Sequence, residues 1–200
     1  PRVRSRIALT GGLLLAALAG APLVALAQGQ AAPATGKPGA EPLRIGLIGP
    51  FTGPSADFGM PMHNGVRMAV DEINAVGGYL GRQLELVVRD DTARPDVGRR
   101  MSEELAAAGV VATIGFCNTG VAQQSLEVFQ TARIPLIIPC ATGTPLTARY
   151  PAPESYIFRT SARDAIQAPF IVQDLAQRGW ERVAVFADTT GYGEAGLKDL

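Results

Sequence analysis

The chain has 200 residues, with 18 basic and 18 acidic side chains, one histidine and two cysteines. This charge balance excludes the strongly basic surface that is typical of nucleic-acid-binding proteins. The histidine and cysteine counts exclude the common zinc motifs, which need several such ligands at short spacing.

Residues 1–27 have the features of a secretory signal peptide. Three arginines precede an apolar run, and Ala25-Leu26-Ala27 forms the small-residue cleavage site. Glycines and Pro22 interrupt the apolar run, whereas a membrane anchor needs about 20 consecutive apolar residues. Because no cysteine follows the cleavage site, a lipid anchor is not expected either. We therefore expect export from the cytoplasm and cleavage after Ala27.

Residues 28–42 are rich in Ala, Pro, Gly and Gln and lack hydrophobic periodicity, so we expect a flexible leader there. The signal peptide holds three of the 18 basic residues and no acidic one, which leaves the remainder with a formal charge of about −3. Roughly 158 residues follow the leader, which is enough for one domain with a hydrophobic core.

Strand-like and helix-like segments alternate from Leu43 onward. Short apolar runs bounded by turn residues predict strands, at residues 43–49, 83–89, 110–114, 136–138, 156–158 and 182–186. A loop over 50–59 is expected after the first strand, and the run 156–158 is expected to be a crossing strand. Apolar residues at helical spacing predict helices, around residues 66–73, 97–105, 121–131 and 165–178. This alternation predicts an α/β fold, a doubly wound parallel sheet with helices on both faces.

Two turns directly follow apolar strands and are built from small and hydroxyl residues, namely GFCNTG at 115–120 and PCATG at 139–143. Open parallel sheets bind ligands in the crevice at the carboxyl ends of their strands. We therefore expect backbone N–H groups and the hydroxyls of Thr119 and Thr142 to face a small ligand. The alternative is that both threonines only cap helices or stabilise turns.

The sequence lacks the motifs of an exported α/β enzyme. It has no G-x-S-x-G nucleophile elbow and no phosphate-binding glycine loop. His63 is predicted to be a surface or capping residue. Because adjacent residues of a strand point to opposite faces, Asp90 and Asp91 are predicted to form a solvated strand end and no acid/base pair. We predict a protein that is not an enzyme and needs no cofactor or metal, although an enzyme with its catalytic group elsewhere stays open.

Five segments, in this order, resemble the leucine/isoleucine/valine-binding family of periplasmic solute receptors, the type I binding-protein fold that serves ABC importers. They are IGLIGPFTGPSADFG, NGVRMAVDEINAVGGYLGRQLELVVRDD, IGFCNTG, IPLIIPCATGTPLT and DTTGYGEAG. The resemblance implies two α/β lobes that close on a ligand by hinge motion. It assigns residues 43–162 to lobe 1 and residues 163–200 to the start of a truncated lobe 2, so we expect the chain to be a fragment.

The resemblance also implies how an amino acid would be held. Thr119 and Thr142 match positions whose hydroxyl and N–H groups bind the ligand carboxylate, and the Cys140 carbonyl matches an ammonium acceptor. The other turn residues that are predicted to line the site are Cys117, Asn118 and Ala141.

Two aromatic residues complete the implied site. Phe58, in the loop after the first strand, matches an aromatic position that walls the side-chain pocket; the alternative is a core phenylalanine under the loop. Tyr192 matches an aromatic residue that closes over the ligand from lobe 2, and the alternative is a surface tyrosine.

Cys117 and Cys140 lie in the two ligand turns. Adjacent strands are about 4.8 Å apart, within the Cα separation that a disulfide allows, and export permits oxidation. The better-known family bridge uses a cysteine in the turn after the second strand, where this chain has Ala93. Two hypotheses stay open: a Cys117–Cys140 disulfide, or two buried thiols that line the pocket.

For function, the resemblance implies a monomeric, periplasmic solute-binding protein of an ABC importer that delivers an amino acid, most simply a branched-chain one, to membrane permease subunits. The alternatives are a receptor for amides, urea or aromatic carboxylates in the same fold, and a sensor ectodomain.

Overall fold

In a computed structural model of the protein, the structure describes residues 41–200. The predicted signal peptide, and the predicted leader up to residue 40, lie outside the described residues. No helix in the part of the chain that is described has the length and hydropathy needed to span a bilayer.

A five-stranded, wholly parallel sheet organises this part of the chain, with the strand order β2-β1-β3-β4-β5. The strands are β1 (Leu43–Gly49), β2 (Leu84–Asp90), β3 (Ala112–Ile114), β4 (Leu136–Ile138) and β5 (Ile157–Arg159). The helices are α1 (Ala56–Ala75), α2 (Pro95–Ala107), α3 (Thr119–Ala132), α4 (Pro145–Ala148), α5 (Asp164–Gln177) and α6 (Gly191–Asp199). The predicted α/β class with a parallel sheet is confirmed.

The two faces of β1 show how helices cover the sheet. A Cβ placed on Gly46 would meet Leu105 of α2, whereas one placed on Gly49 would meet Met62 of α1. Successive positions of a strand point to opposite faces, so α1 and α2 lie on opposite sides of the sheet. In the sheet, β2 lies on one side of β1 and β3 lies on the other. The carboxyl ends of β1 and β3 therefore form the topological switch point.

The hydrophobic core lies between the sheet and the α2–α3 pair. Phe116 and Phe129 are fully buried and meet edge to face with ring centroids 6.3 Å apart. Leu105, Leu126 and Ile48 pack in the same cluster. Burial of each such side chain contributes about 1.5–3 kcal/mol. This core lies directly beneath the turns that leave β3 and β4.

Three predicted segments differ from the structure. The first helix begins at Ala56, because the N–H groups of Phe58 and Gly59 both donate to the Ser55 carbonyl, so the loop ends before residue 59. The predicted crossing strand is instead β5, the edge strand beside β4.

The predicted buried strand at 182–186 is wrong. These residues form no ladder, and the Phe186 side chain is 97% exposed. A strand needs a neighbour to satisfy its backbone groups, and no described strand lies beside this segment.

Close packing of α1 on the loop after β1 predicts a large cost for one substitution. A Cβ at Gly59 would lie 2.0 Å from the Pro50 carbonyl oxygen, whereas a Cβ at Gly65 in the same helix would meet nothing within 4 Å. We expect Gly59→Ala to lower the free energy of unfolding by about 1–3 kcal/mol. Gly65→Ala should raise it by roughly 0.5–1 kcal/mol. Urea unfolding measures both, and equal effects of the two substitutions would contradict the steric explanation.

Candidate functional site

The two predicted ligand turns lie side by side at the carboxyl ends of β3 and β4. The Ala141 N–H donates to the Phe116 carbonyl (3.0 Å), and the Gly143 N–H donates to the Thr119 hydroxyl oxygen (3.2 Å). Gly143 is required here because a Cβ at this position would lie 2.3 Å from Thr119 Cγ2. The turns are therefore joined at two points beyond the strand ends.

The first turn leads into α3, and no side chain caps the N-terminus of this helix. Asn118 is the N-cap residue, but its side chain makes no capping hydrogen bond. The Thr119 hydroxyl accepts from Gly143 and retains its own proton for donation. An uncapped helix N-terminus presents free N–H groups and a positive partial charge, which suits a carboxylate. Thr119 is only 1% exposed, so a ligand would be held close to the core.

The second turn is held by Arg159, the last residue of β5, and by residues that follow it. The Arg159 guanidinium donates to the Thr142 carbonyl (2.9 Å) and to the Gly143 carbonyl (2.6 Å), and the Ser161 hydroxyl donates to the Ala141 carbonyl (3.0 Å). The Asp164 N–H also donates to the Thr142 carbonyl (3.0 Å). Three consecutive carbonyls of the turn are thereby occupied.

The remaining polar groups of this turn have no hydrogen-bond partner among residues 41–200. Among them are the N–H and the hydroxyl of Thr142 and the N–H and the carbonyl of Cys140. The turn therefore has free donors and a free carbonyl acceptor that could contact a ligand.

Sequence reasoning missed Arg159, Ser161 and Asp164 as residues that shape the site. Burial lowers the pKa of Arg159, and the nearby Asp164 carboxylate opposes that shift. The available signal was the polar run R-T-S-A-R-D directly after an apolar strand. The carboxyl end of a fifth parallel strand must lie at the same sheet edge as the two turns.

The loop after β1 also reaches the first turn. The Asn118 side-chain amide donates to the Ser55 hydroxyl (3.3 Å), and the Asn118 Oδ1 is buried without a partner. Phe58 lies in the first turn of α1, not in a loop, and is 65% exposed. The alternative of a core phenylalanine is therefore wrong, and the pocket role of Phe58 stays a prediction.

The cysteines are both free and half-buried, so the structure contains two thiols and no disulfide at this position. A hydrogen bond between the two thiols raises the pKa of Cys117 and lowers that of Cys140 to about 7.

Tyr192 lies in the first turn of α6, which Thr190 caps by accepting from the Tyr192 N–H. The backbone here approaches the first ligand turn, because a Cβ on Gly191 would lie 2.8 Å from the Gly120 Cα. The Tyr192 side chain lines a cavity of about 340 Å³ between α5 and α6, together with Ile171 and Leu197. The structure thus brings the α6 terminus to the turns, while the tyrosine ring lies against α5.

Asp90 and Asp91 lie in different environments, and the expectation of a solvated strand end is wrong for Asp91. Burial works to raise the pKa of Asp90, but hydrogen bonds from Thr52, Thr92 and Phe51 outweigh it and lower the pKa. Asp91 is 0% exposed. Its Oδ1 accepts from the Ala93 N–H (2.8 Å), and its Oδ2 has no partner. Burial raises the pKa of Asp91 to about 6.

This raised pKa predicts how stability depends on pH. The folded protein retains a proton on Asp91 up to about pH 6, whereas the unfolded chain releases it near pH 4. The folded state binds more protons in that window, so stability falls by about 2 kcal/mol as pH rises from 4 to 7. Asp91→Asn should remove this fall, as measured by urea unfolding at several pH values. The exposed Asp71→Asn should retain it, and an unchanged pH dependence in Asp91→Asn would contradict the assignment.

Within residues 41–200 no cluster of three His, Cys, Asp or Glu side chains could hold a metal ion. His63 packs edge-on against Phe51 with ring centroids 5.4 Å apart, and its Nδ1 is buried without a partner. The histidine is therefore partly packed, not a simple surface residue.

A parallel α/β sheet with donor-rich turns at the carboxyl ends of its strands is the arrangement in which open α/β sheets bind ligands. Residues 42–200 match the periplasmic binding protein family, and the chain belongs to that family.

One relative, Leu/Ile/Val-binding protein homolog 3 of Brucella melitensis, is 33% identical over 161 residues, which is 78% of this chain and 42% of that protein. The chain thus spans about two-fifths of the length of the curated relatives that it matches.

Two solved structures are similar in fold. The branched-chain amino acid binding protein LivJ of Streptococcus pneumoniae, in complex with isoleucine, has a TM-score of 0.71 and 27% identity, and covers 79% of this chain and 45% of its own. A solute-binding protein of Rhodopseudomonas palustris BisB5, in complex with 3,4-dihydroxybenzoic acid, has a TM-score of 0.70 and 28% identity, and covers 78% and 42%.

Proposed function

We propose that the complete protein is the periplasmic solute-binding component of an ABC importer, and that it binds a branched-chain amino acid. The proposal rests chiefly on the donor set at the switch point, because the Thr119 and Thr142 groups and the open α3 terminus can together hold one carboxylate. Relatives named for Leu, Ile and Val binding support this ligand class.

The ligand carboxylate would receive hydrogen bonds from the Thr119 hydroxyl, the Thr142 hydroxyl and N–H, and the α3 N-terminus. The Cys140 carbonyl would accept from the ammonium. Bonds to a charged group are shorter and about twice as strong as neutral ones, so neutral donors suffice for a carboxylate. Phe58 would wall the side-chain pocket, with Tyr192 closing from the other side.

We further propose that residues 43–162 form the first lobe and residues 163–200 begin a second one. Exposed apolar side chains in this last part support that assignment, because Phe170 is 73% and Phe186 97% exposed. In the complete protein these side chains would pack against the remainder of the second lobe. The lobes would close on the solute, and the closed monomer would deliver it to a membrane permease without chemical change.

An aromatic carboxylate is the second candidate ligand. The Rhodopseudomonas palustris protein in complex with 3,4-dihydroxybenzoic acid has the same fold over most of this chain. Neither turn contains an acidic side chain that could pair with a ligand ammonium group. A ligand with a carboxylate and no amine would also suit the donors.

A thermal-shift experiment on the complete protein, freed of bound solute by unfolding and refolding, tests the function. A ligand at 100 times its Kd stabilises by about 2.7 kcal/mol. We expect leucine, isoleucine or valine to raise the Tm. Leucinamide lacks the carboxylate and 4-methylpentanoate lacks the ammonium, so neither should match leucine.

Other outcomes separate the alternatives. A shift with 4-hydroxybenzoate alone would replace the amino acid by an aromatic carboxylate, and a shift with urea or acetamide alone would exclude both carboxylate ligands. If none of these solutes raises the Tm, the proposal of a small-solute receptor of this type is contradicted.

A further inference from the structure

Cys117 and Cys140 lie beside the bonds that join the ligand turns. The Phe116–Ala141 backbone bond is adjacent to both cysteines in sequence, and the Thr119–Gly143 bond follows two or three residues later. The Ala141 N–H donates to the Phe116 carbonyl (3.0 Å), which places residues 117 and 140 side by side in the adjoining turns. Each side chain is half-buried, so a small reagent in solution can reach the pair.

We propose that Cys117 and Cys140 form a reversible disulfide, and that its formation regulates solute binding by the two turns. The regulatory part rests on the function proposed above. The disulfide itself does not, because it requires only the juxtaposition of the two thiols.

The roles of the two thiols differ. The hydrogen-bond interaction with Cys117 lowers the pKa of Cys140 to about 7, which favours a thiolate on Cys140. The same hydrogen bond, burial, and the negative charge of Asp91 all favour the protonated form of Cys117. Since the thiolate is the nucleophile, Cys140 is the attacking cysteine and Cys117 the resolving one.

Oxidation would proceed by exchange with a small disulfide such as oxidised glutathione. The Cys140 thiolate attacks one sulfur of the reagent, which breaks its S–S bond and releases one glutathione thiolate. Cys117 then gives its proton to solvent and attacks the Cys140 sulfur of the mixed disulfide, which releases the second glutathione. The cysteine pair loses two electrons and the reagent gains them.

The bond would disturb the ligand groups because the cysteines belong to the turns that carry them. An S–S bond of about 2.05 Å is shorter than a hydrogen-bonded contact between two sulfurs, so the turns must shift toward each other. Cys117 is two residues from Thr119, and Cys140 is two residues from Thr142 and carries the proposed ammonium acceptor. Hydrogen bonds weaken steeply when distance and angle change, so we expect weaker solute binding in the oxidised form.

The test uses the complete protein, equilibrated with reduced or with oxidised glutathione. Thiols are counted after unfolding without reductant, and intact mass is measured. We expect two thiols in the reduced form and none in the oxidised form, with no glutathione retained. Cys117→Ser should retain one glutathione on Cys140, whereas Cys140→Ser should react more slowly. If two thiols remain after oxidation, or if Cys140→Ser is the faster variant, the proposed chemistry is overturned.

Solute affinity is then measured on both forms with whichever of leucine, isoleucine, valine or 4-hydroxybenzoate raises the Tm. We expect the oxidised form to bind roughly tenfold or more weakly. The affinity of the double variant Cys117→Ser/Cys140→Ser should not respond to oxidised glutathione. If the oxidised and reduced wild-type proteins bind the solute with equal affinity, the disulfide is only a structural crosslink, and the proposed regulation of solute binding is overturned. If no solute binds to the reduced form, the proposed function fails, while the thiol count still decides whether the disulfide forms.

Discussion

The double variant Thr119→Val/Thr142→Val of the complete protein should bind its solute roughly 100- to 10,000-fold more weakly than the wild type. Each substitution removes a hydroxyl that is proposed to donate to the ligand carboxylate, while the shape of the side chain is retained. A hydrogen bond to a charged group is worth about 1.5–3 kcal/mol, so loss of two costs about 3–6 kcal/mol. Isothermal titration calorimetry with the solute that stabilises the wild type measures the change.

Thr119 also accepts a hydrogen bond from Gly143, so a structural loss must be separated from a binding loss. Thr119→Ser keeps the hydroxyl and should retain most of the affinity. Thr131→Val changes an exposed threonine at the far end of α3 and should change neither affinity nor Tm. If the double variant binds as tightly as the wild type, Thr119 and Thr142 do not hold the ligand.

Arg159→Met should lower the free energy of unfolding by about 3 kcal/mol or more. The guanidinium donates to the carbonyls of Thr142 and Gly143, and hydrogen bonds that involve a charged group contribute about 1.5–3 kcal/mol each. Methionine retains much of the apolar stem but leaves both carbonyls without their donor. It also leaves Asp164, 8% exposed, without its cationic neighbour.

Urea unfolding measures this change, and Arg100→Met is the matched control. Arg100 is exposed on α2 and makes no ion pair among the described residues, so its replacement should change stability by less than about 0.5 kcal/mol. Because Arg159 orients the second turn, the folded Arg159→Met protein should also bind its solute more weakly. If Arg159→Met is as stable as Arg100→Met, the hydrogen bonds from Arg159 to the two carbonyls do not contribute to the free energy of unfolding.

The class of fold, and the meeting of the two turns at one sheet edge, could be predicted from sequence. Apolar runs of strand length alternate with helical periodicity, and this pattern is local, so it specifies a parallel sheet without knowledge of any tertiary contact. The same topology places every strand's carboxyl end at one sheet edge. The two donor-rich turns therefore had to lie together, and the structure joins them through Ala141 and Gly143.

Other features depend on partners that are distant in sequence. Residues 182–186 have the composition of a strand, yet a strand forms only beside another one. Asp91 looked solvated, but α2 and α3 cover it, and this burial raises its pKa. A local pattern shows neither the packing of a helix over a strand end nor the presence of a neighbouring strand.

The sequence by itself determined the parallel α/β architecture and the two turns, because these follow from periodicity and from the order of the strands. The tertiary structure alone decided which groups of those turns remain free. Arg159 and Ser161 occupy three carbonyls of the second turn, and the Gly143 N–H donates to the Thr119 hydroxyl. Hydrogen bonds have short range and strict geometry, so these choices required the positions of residues that the fold, and not the local sequence, brings together.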